Sequence, residues 1–136
     1  LSSSSAASDV YKRQFIALSF FVNLLQAKWE GGYVSEDGKM TLYFDSETVQ
    51  VNYPLFRSWS LMDFNEPIFN NMLSAKILTE YSCQEKERRV VHVISYSGNK
   101  GEGKILSQAS SNQPWEIIKE PSSAYDLMIN VCKNRE

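Results

Sequence analysis

Three side chains are reactive enough, and scarce enough, to weigh singly: one histidine, His92, and two cysteines, Cys83 and Cys132. His92 sits between Val91 and Val93 in a β-branched run. It reads as a haem or metal ligand, as a general base, or as a hydrogen-bonded histidine on the open face of a sheet, and the last fits best. No G-x-S-x-G elbow accompanies it, so a Ser-His-Asp triad has no local signature. The cysteines read as a disulfide if the chain is exported, and otherwise as two free buried thiols. Two cysteines and one distant histidine do not fill a four-ligand zinc shell. Residues 98–103, G-N-K-G-E-G, follow one strand and lead into another, so no helix N-terminus waits there for a phosphate. A tight turn is the better reading. No catalytic, cofactor-binding or metal site is expected, and the chain is not expected to be an enzyme.

The elements that must position these residues centre on 77–103. Ile77, Thr79, Tyr81 and Cys83 alternate onto one face of a strand. Gln84-Glu85-Lys86-Glu87 forms a turn, with the mixed charges from Glu85 to Arg89 solvated around it. Residues 89–97 form the returning strand. Upstream, strands are expected over 28–34, 40–44, 48–53 and 56–64. Gly31-Gly32 marks a bulge, Asp37-Gly38 a type I′ hairpin turn, Pro54 an edge, and Asn65-Glu66-Pro67 a stop. Residues 68–73 read only as a connection. Downstream, 104–110 gives one more strand, and 115–118 is an extended piece placing Trp115 over the core. Residues 123–132 give a helix. Ser123 and Asp126 have capping-box spacing, and Tyr125, Met128 and Cys132 lie beside Ala124, Leu127 and Val131 on its inward side. The fold class predicted is α+β, an antiparallel sheet of about six strands with a C-terminal helix on one face.

With 136 residues there is room for one domain and one modest core. The N-terminal region does not belong to it. Residues 1–14 end in D-V-Y-K-R-Q, which resembles the translation of a transposase end sequence used in library preparation, so this segment reads as non-native. Residues 15–27, F-I-A-L-S-F-F-V-N-L-L-Q-A, are too short for a membrane span but fit the apolar part of a signal peptide cut after Ala27. A buried first helix is the alternative. The single domain is then 28–136. The net charge is −2, and −3 without Asp9, Lys12 and Arg13, so there is no electrostatic reason to expect nucleic acid as a partner. Export with two cysteines points to an oxidising compartment. The aromatics Tyr43, Tyr53, Trp59, Tyr81, Tyr96 and Trp115 suit a sheet. Several of them on its uncovered face would make a protein-binding surface.

From about Trp29 to Cys132 the chain resembles the bacterial surface-adhesin E family. The motifs are the early Trp29, Tyr43-Phe44-Asp45, Asp63-Phe64 with Pro67, and Tyr81-Ser82-Cys83 before Glu87-Arg88-Arg89. Tyr96-Ser97-Gly98 with its Gly-rich turn, Pro114-Trp115 and Val131-Cys132 complete the series. The resemblance implies a helix tied to the sheet by a Cys83–Cys132 disulfide. It also implies a non-catalytic, exported envelope protein that needs no cofactor. Its partner would be a protein of a host matrix or of the envelope, or a second copy of the chain. No cysteine ends the apolar segment to accept lipid, which favours the periplasm over anchored display, with secretion or the cell surface remaining open. A periplasmic assembly role is the alternative, and an enzyme using His92 is the weaker one. The partner-binding residues are not legible.

Overall fold

A computed structural model describes residues 28–133. The expectations for 1–14 and 15–27 lie outside the described residues, as do the last three residues of the expected domain.

The elements are β1 (Glu30–Val34), β2 (Met40–Phe44), β3 (Gln50–Asn52), β4 (Leu55–Ile68), β5 (Met72–Ser82), β6 (Glu87–Tyr96), β7 (Ile105–Ser110), β8 (Glu116–Ile117) and the helix α1 (Ser123–Lys133). They form one antiparallel sheet in the order β1-β2-β4-β5-β6-β7, with β3 paired to β4 and β8 paired to β6. The α+β expectation holds, with eight strands in the sheet, the short β3 and β8 lying within the expected 48–53 and 115–118.

The helix side of the sheet follows from side-chain alternation. Leu42 and Phe44 of β2, Phe56 of β4 and Tyr81 of β5 join Ile118, Leu127, Met128 and Val131 in the buried cluster. Leu127, Met128 and Val131 have almost no exposed surface. Each contributes roughly 1.5–3 kcal/mol by leaving water. Burial pushes the Tyr81 hydroxyl well above the usual tyrosine range, so it stays neutral inside this cluster. Cys83 and Cys132 lie at the cluster's margin and are disulfide-bonded, with Cα atoms 6.0 Å apart. The bond fixes the helix over the face that carries Tyr81.

Several local expectations are corrected. Glu36 and Asp37 are not left-handed. Gly38 N–H donates to the Ser35 carbonyl, and Gly38 alone takes a positive φ of 73°, so this is not a type I′ turn. The strand β4 does not stop at Asn65-Glu66-Pro67. It breaks register with β5 after Asp63 and runs on to Ile68, because Pro67 falls in the unpaired stretch where no ladder hydrogen bond is needed. Residues 68–73 are a hairpin tip. Asn70 and Asn71 both have positive φ, and Met72 N–H closes the turn on the Phe69 carbonyl. The helix is capped by Ser122 rather than Ser123: its Oγ accepts from Tyr125 N–H at 3.0 Å. Trp115 does not cover the core. Ile118 does, while Trp115 stacks over the Arg89 guanidinium at 4.8 Å.

Candidate binding face

The sheet surface turned away from α1 is built in rows across β4, β5 and β6. One row is Leu61, Lys76 and Ile94, flanked by Tyr43 and Gln108. The next is Trp59, Leu78 and His92, ending at Ser110. The last is Arg57, Glu80 and Arg89. His92 and Arg89 are three residues apart and yet share this face. They do so because β6 carries an extra residue, Val91, between the partners of Leu78 and Thr79. Such a bulge reverses the alternation.

One end of the face is closed by the turn 98–103. The Ser74 hydroxyl donates to the Gly98 carbonyl at 2.6 Å and accepts from Gly101 N–H at 2.8 Å. Asp63 accepts from the Asn99 amide at 3.0 Å and from Lys100 N–H at 2.8 Å. Gly103 has φ +81°, and a Cβ there would lie 2.5 Å from the Ser97 hydroxyl oxygen. The Gly-rich run is therefore a clamped turn.

Beside it is a hollow of about 270 Å³ lined by Trp29, Asp45, Thr48, Trp59, Lys76, Ile94 and Tyr96. The Lys76 ammonium lies 5.8 Å from the Trp29 ring centre and 5.3 Å from that of Tyr96. Lys100 lies 5.7 Å from the Tyr43 ring. Asp45 is 2% exposed, and one carboxylate oxygen accepts from Glu47 N–H at 3.0 Å. Burial raises its pKa above the usual aspartate range, with Glu47 and Glu30 adding to the shift.

At the other end Arg57 Nε donates to one oxygen of Glu80 at 2.8 Å. Arg89 Nε donates to the other oxygen at 2.8 Å and Arg89 Nη2 lies 2.6 Å from it. Burial alone would raise the Glu80 pKa. The two guanidiniums outweigh it and hold the carboxyl below its ordinary value. Arg89 is thus part of a half-buried network and not of a solvated turn, as its place in the charge run suggested.

His92 lies on this face with its Nδ1 3.3 Å from Ser110 Oγ and its Nε2 3.3 Å from Gln108 Oε1. Its ring stands edge-on to Trp59 at 6.2 Å. Its neighbours are a hydroxyl, an amide and an indole, which is the hydrogen-bonded histidine on an open sheet. Among the described residues no group of three His, Cys, Asp or Glu side chains is placed to hold a metal ion, and no helix is long and apolar enough to cross a membrane.

Tyr43, Trp59, Tyr96 and Trp115 lie on the side away from the helix, Tyr81 is under it, and Tyr53 is exposed at the β3–β4 turn. For Lys76, Arg57 and Glu80 the one sequence signal is alternation within strands, and only the cross-strand register assembles them; Asp45, just beyond β2, is marked by the Tyr43-Phe44-Asp45 motif alone.

The family model for surface-adhesin protein E matches residues 32–133. The fold is similar to that of Haemophilus influenzae protein E. Crystal form II gives a TM-score of 0.56 at 14% identity, over 80% of this chain and 93% of that one. Protein E from non-typeable Haemophilus influenzae gives 0.51 at 13% identity, over 79% and 80%. A search of curated proteins finds no significant match.

Proposed function

The chain belongs to the surface-adhesin protein E family, and on that premise we propose that its sheet face away from α1 is the surface that grips a protein partner. Membership makes it a non-catalytic binding protein of the bacterial envelope, periplasmic or at the surface. The proposal adds the face, and the partner as a protein of a host matrix or of the envelope itself. A leader over 15–27 and a binding domain over 28–136 belong to the same reading, supported by the apolar run and by the family match that begins after it.

The observation that carries the reading is the company the aromatics keep. Trp29, Tyr43, Tyr96 and Trp115 each lie near a lysine or arginine on one sheet face, Trp29 and Tyr96 with Trp59 around the 270 Å³ hollow and Trp115 over Arg89 at the other end. Tryptophan, tyrosine and arginine dominate binding energy where they are packed and rigid. Trp29, Tyr43, Trp59 and Trp115 are only partly buried on this face, whereas Tyr81 is enclosed under the helix.

The test is adhesion of labelled protein to matrix-coated wells and to isolated envelope fractions. Trp59→Ala should weaken binding at least about 30-fold, the loss of a central aromatic anchor. Ile117→Ala, on the exposed strand β8, should leave it unchanged. Equal binding by both variants would refute the face. Binding to envelope fractions alone would replace the host partner with an envelope one, and self-association without other binding would make the partner a second copy.

A further inference from the structure

The row Arg57–Glu80–Arg89 carries two guanidiniums and one carboxylate. Glu80 is nearly enclosed, its side chain 6% exposed, while each arginine keeps 41% of its side chain open. Glu80 occupies Nε of Arg57, and Nε and Nη2 of Arg89. Among the described residues the Nη groups of Arg57 and the Nη1 of Arg89 have no hydrogen-bond partner. Next to them is a second hollow, about 240 Å³, lined by both arginines, by Val90 and the bulge residue Val91, and by Ser111, Asn112 and Gln113.

We propose that this hollow receives the carboxylate of an acidic peptide segment, held between the free edges of Arg57 and Arg89. Three features support a carboxylate. Guanidinium is a planar fork that matches it through paired hydrogen bonds. Glu80 shows that both arginines already accept such a group from one side. The fork is also fixed before any ligand arrives: Glu80 holds both Nε atoms and the Trp115 ring lies over Arg89, so little side-chain freedom is lost on binding. Ser111, Asn112 and Gln113 add neutral donors at the rim. The row keeps one uncompensated positive charge while the chain as a whole is −2, so the attraction is local and weakens with salt.

The inference places one end of the partner on the face argued above and rests on that reading for its biological meaning. Its test does not depend on it. The probe is an acetylated tetraglutamate peptide titrated into the 15N-labelled protein at low salt, with the Nε–Hε signals of Arg57 and Arg89 as readout and sodium sulfate as comparator. Tetraglutamate should move both signals and bind more tightly than sulfate. Arg57→Gln should weaken it about tenfold or more. Because Arg57→Gln also disturbs Glu80, Asn112→Asp is the second variant. It leaves the Glu80 contacts intact and puts a negative charge at the rim, and it should weaken binding to a similar degree with an unchanged melting temperature. Unmoved arginine signals, undiminished affinity in Asn112→Asp, or tighter binding of sulfate than of the peptide would each overturn the proposal. If the peptide binds here while Trp59→Ala still adheres normally, the carboxylate site stands and the aromatic face falls.

Discussion

Cys132 in the last turn of α1 is bonded to Cys83 just beyond β5, with their Cα atoms 6.0 Å apart and a separation of 49 positions in the sequence. The bond holds the helix on the Tyr81 side and so leaves the Trp59 side uncovered by the helix. Cys132→Ser should cost about 4 kcal/mol by the loop-entropy argument, lowering the melting temperature under oxidising conditions and leaving it unchanged under reducing ones. Binding should fall only as far as folding does. A variant of full stability that had lost binding would make the cysteines functional rather than structural.

Beneath that bond the helix depends on its buried stripe. Leu127→Ala should destabilise by about 2–5 kcal/mol, because Leu127 is enclosed among Phe44, Phe56, Met128 and their neighbours. Ile129→Ala, at a helix position that is 36% exposed, should stay within about 0.5 kcal/mol. Urea unfolding of the two variants checks the difference.

Acid should reach the Glu80 network in a definite order. The Glu80 pKa is lowered in the folded state, so its stabilisation is complete above the ordinary glutamate value of about 4.3 and disappears as pH falls through the lowered folded value. Glu80→Gln should flatten this acid limb in denaturation curves taken at successive pH values. At pH 7 it should cost about 2–3 kcal/mol. That is less than a fully buried pair would lose, since both arginines are partly solvated.

Asp45 carries the opposite sign. Burial raises its pKa, so the folded state holds the proton longer than the unfolded chain does. This contribution is present below the unfolded value of about 3.9 and is lost as pH rises through the raised folded value. Asp45→Asn keeps a side-chain oxygen to accept from Glu47 N–H and removes the buried charge. It should be at least as stable as the parent at pH 7, and its stability should no longer fall across that window.

The strands, the helix, the disulfide and the family were legible because period-2 and period-3.6 patterns, and the order of short motifs, are local properties of the chain. The hairpin tip at Asn70-Asn71 was legible in principle, since asparagine tolerates the left-handed turn, but a six-residue apolar connection obscured it. The face proposed to bind was not legible. Arg57 and Glu80 are 23 residues apart, and only the pairing of β4 with β5 makes them neighbours. Strict alternation puts His92 and Arg89 on opposite faces, and the unpaired Val91 brings them to the same one. Trp115 reads from the sequence as a core ring because nothing local marks Arg89 as its neighbour. Ile118, just past β8, turns inward instead, and Trp115, just before it, is left to Arg89.

On the proposal above, the face away from α1 binds the partner. Hydroxyl-radical footprinting of the protein on a matrix-coated surface, against the free protein, tests it most directly, with oxidation mapped by mass spectrometry. Trp59, Tyr43 and Trp115 should be protected on binding, while Tyr125 and Ile129 of the helix keep their reactivity. Protection of Tyr125 and Ile129 with Trp59 unchanged would contradict the claim and move the binding surface to the helix side.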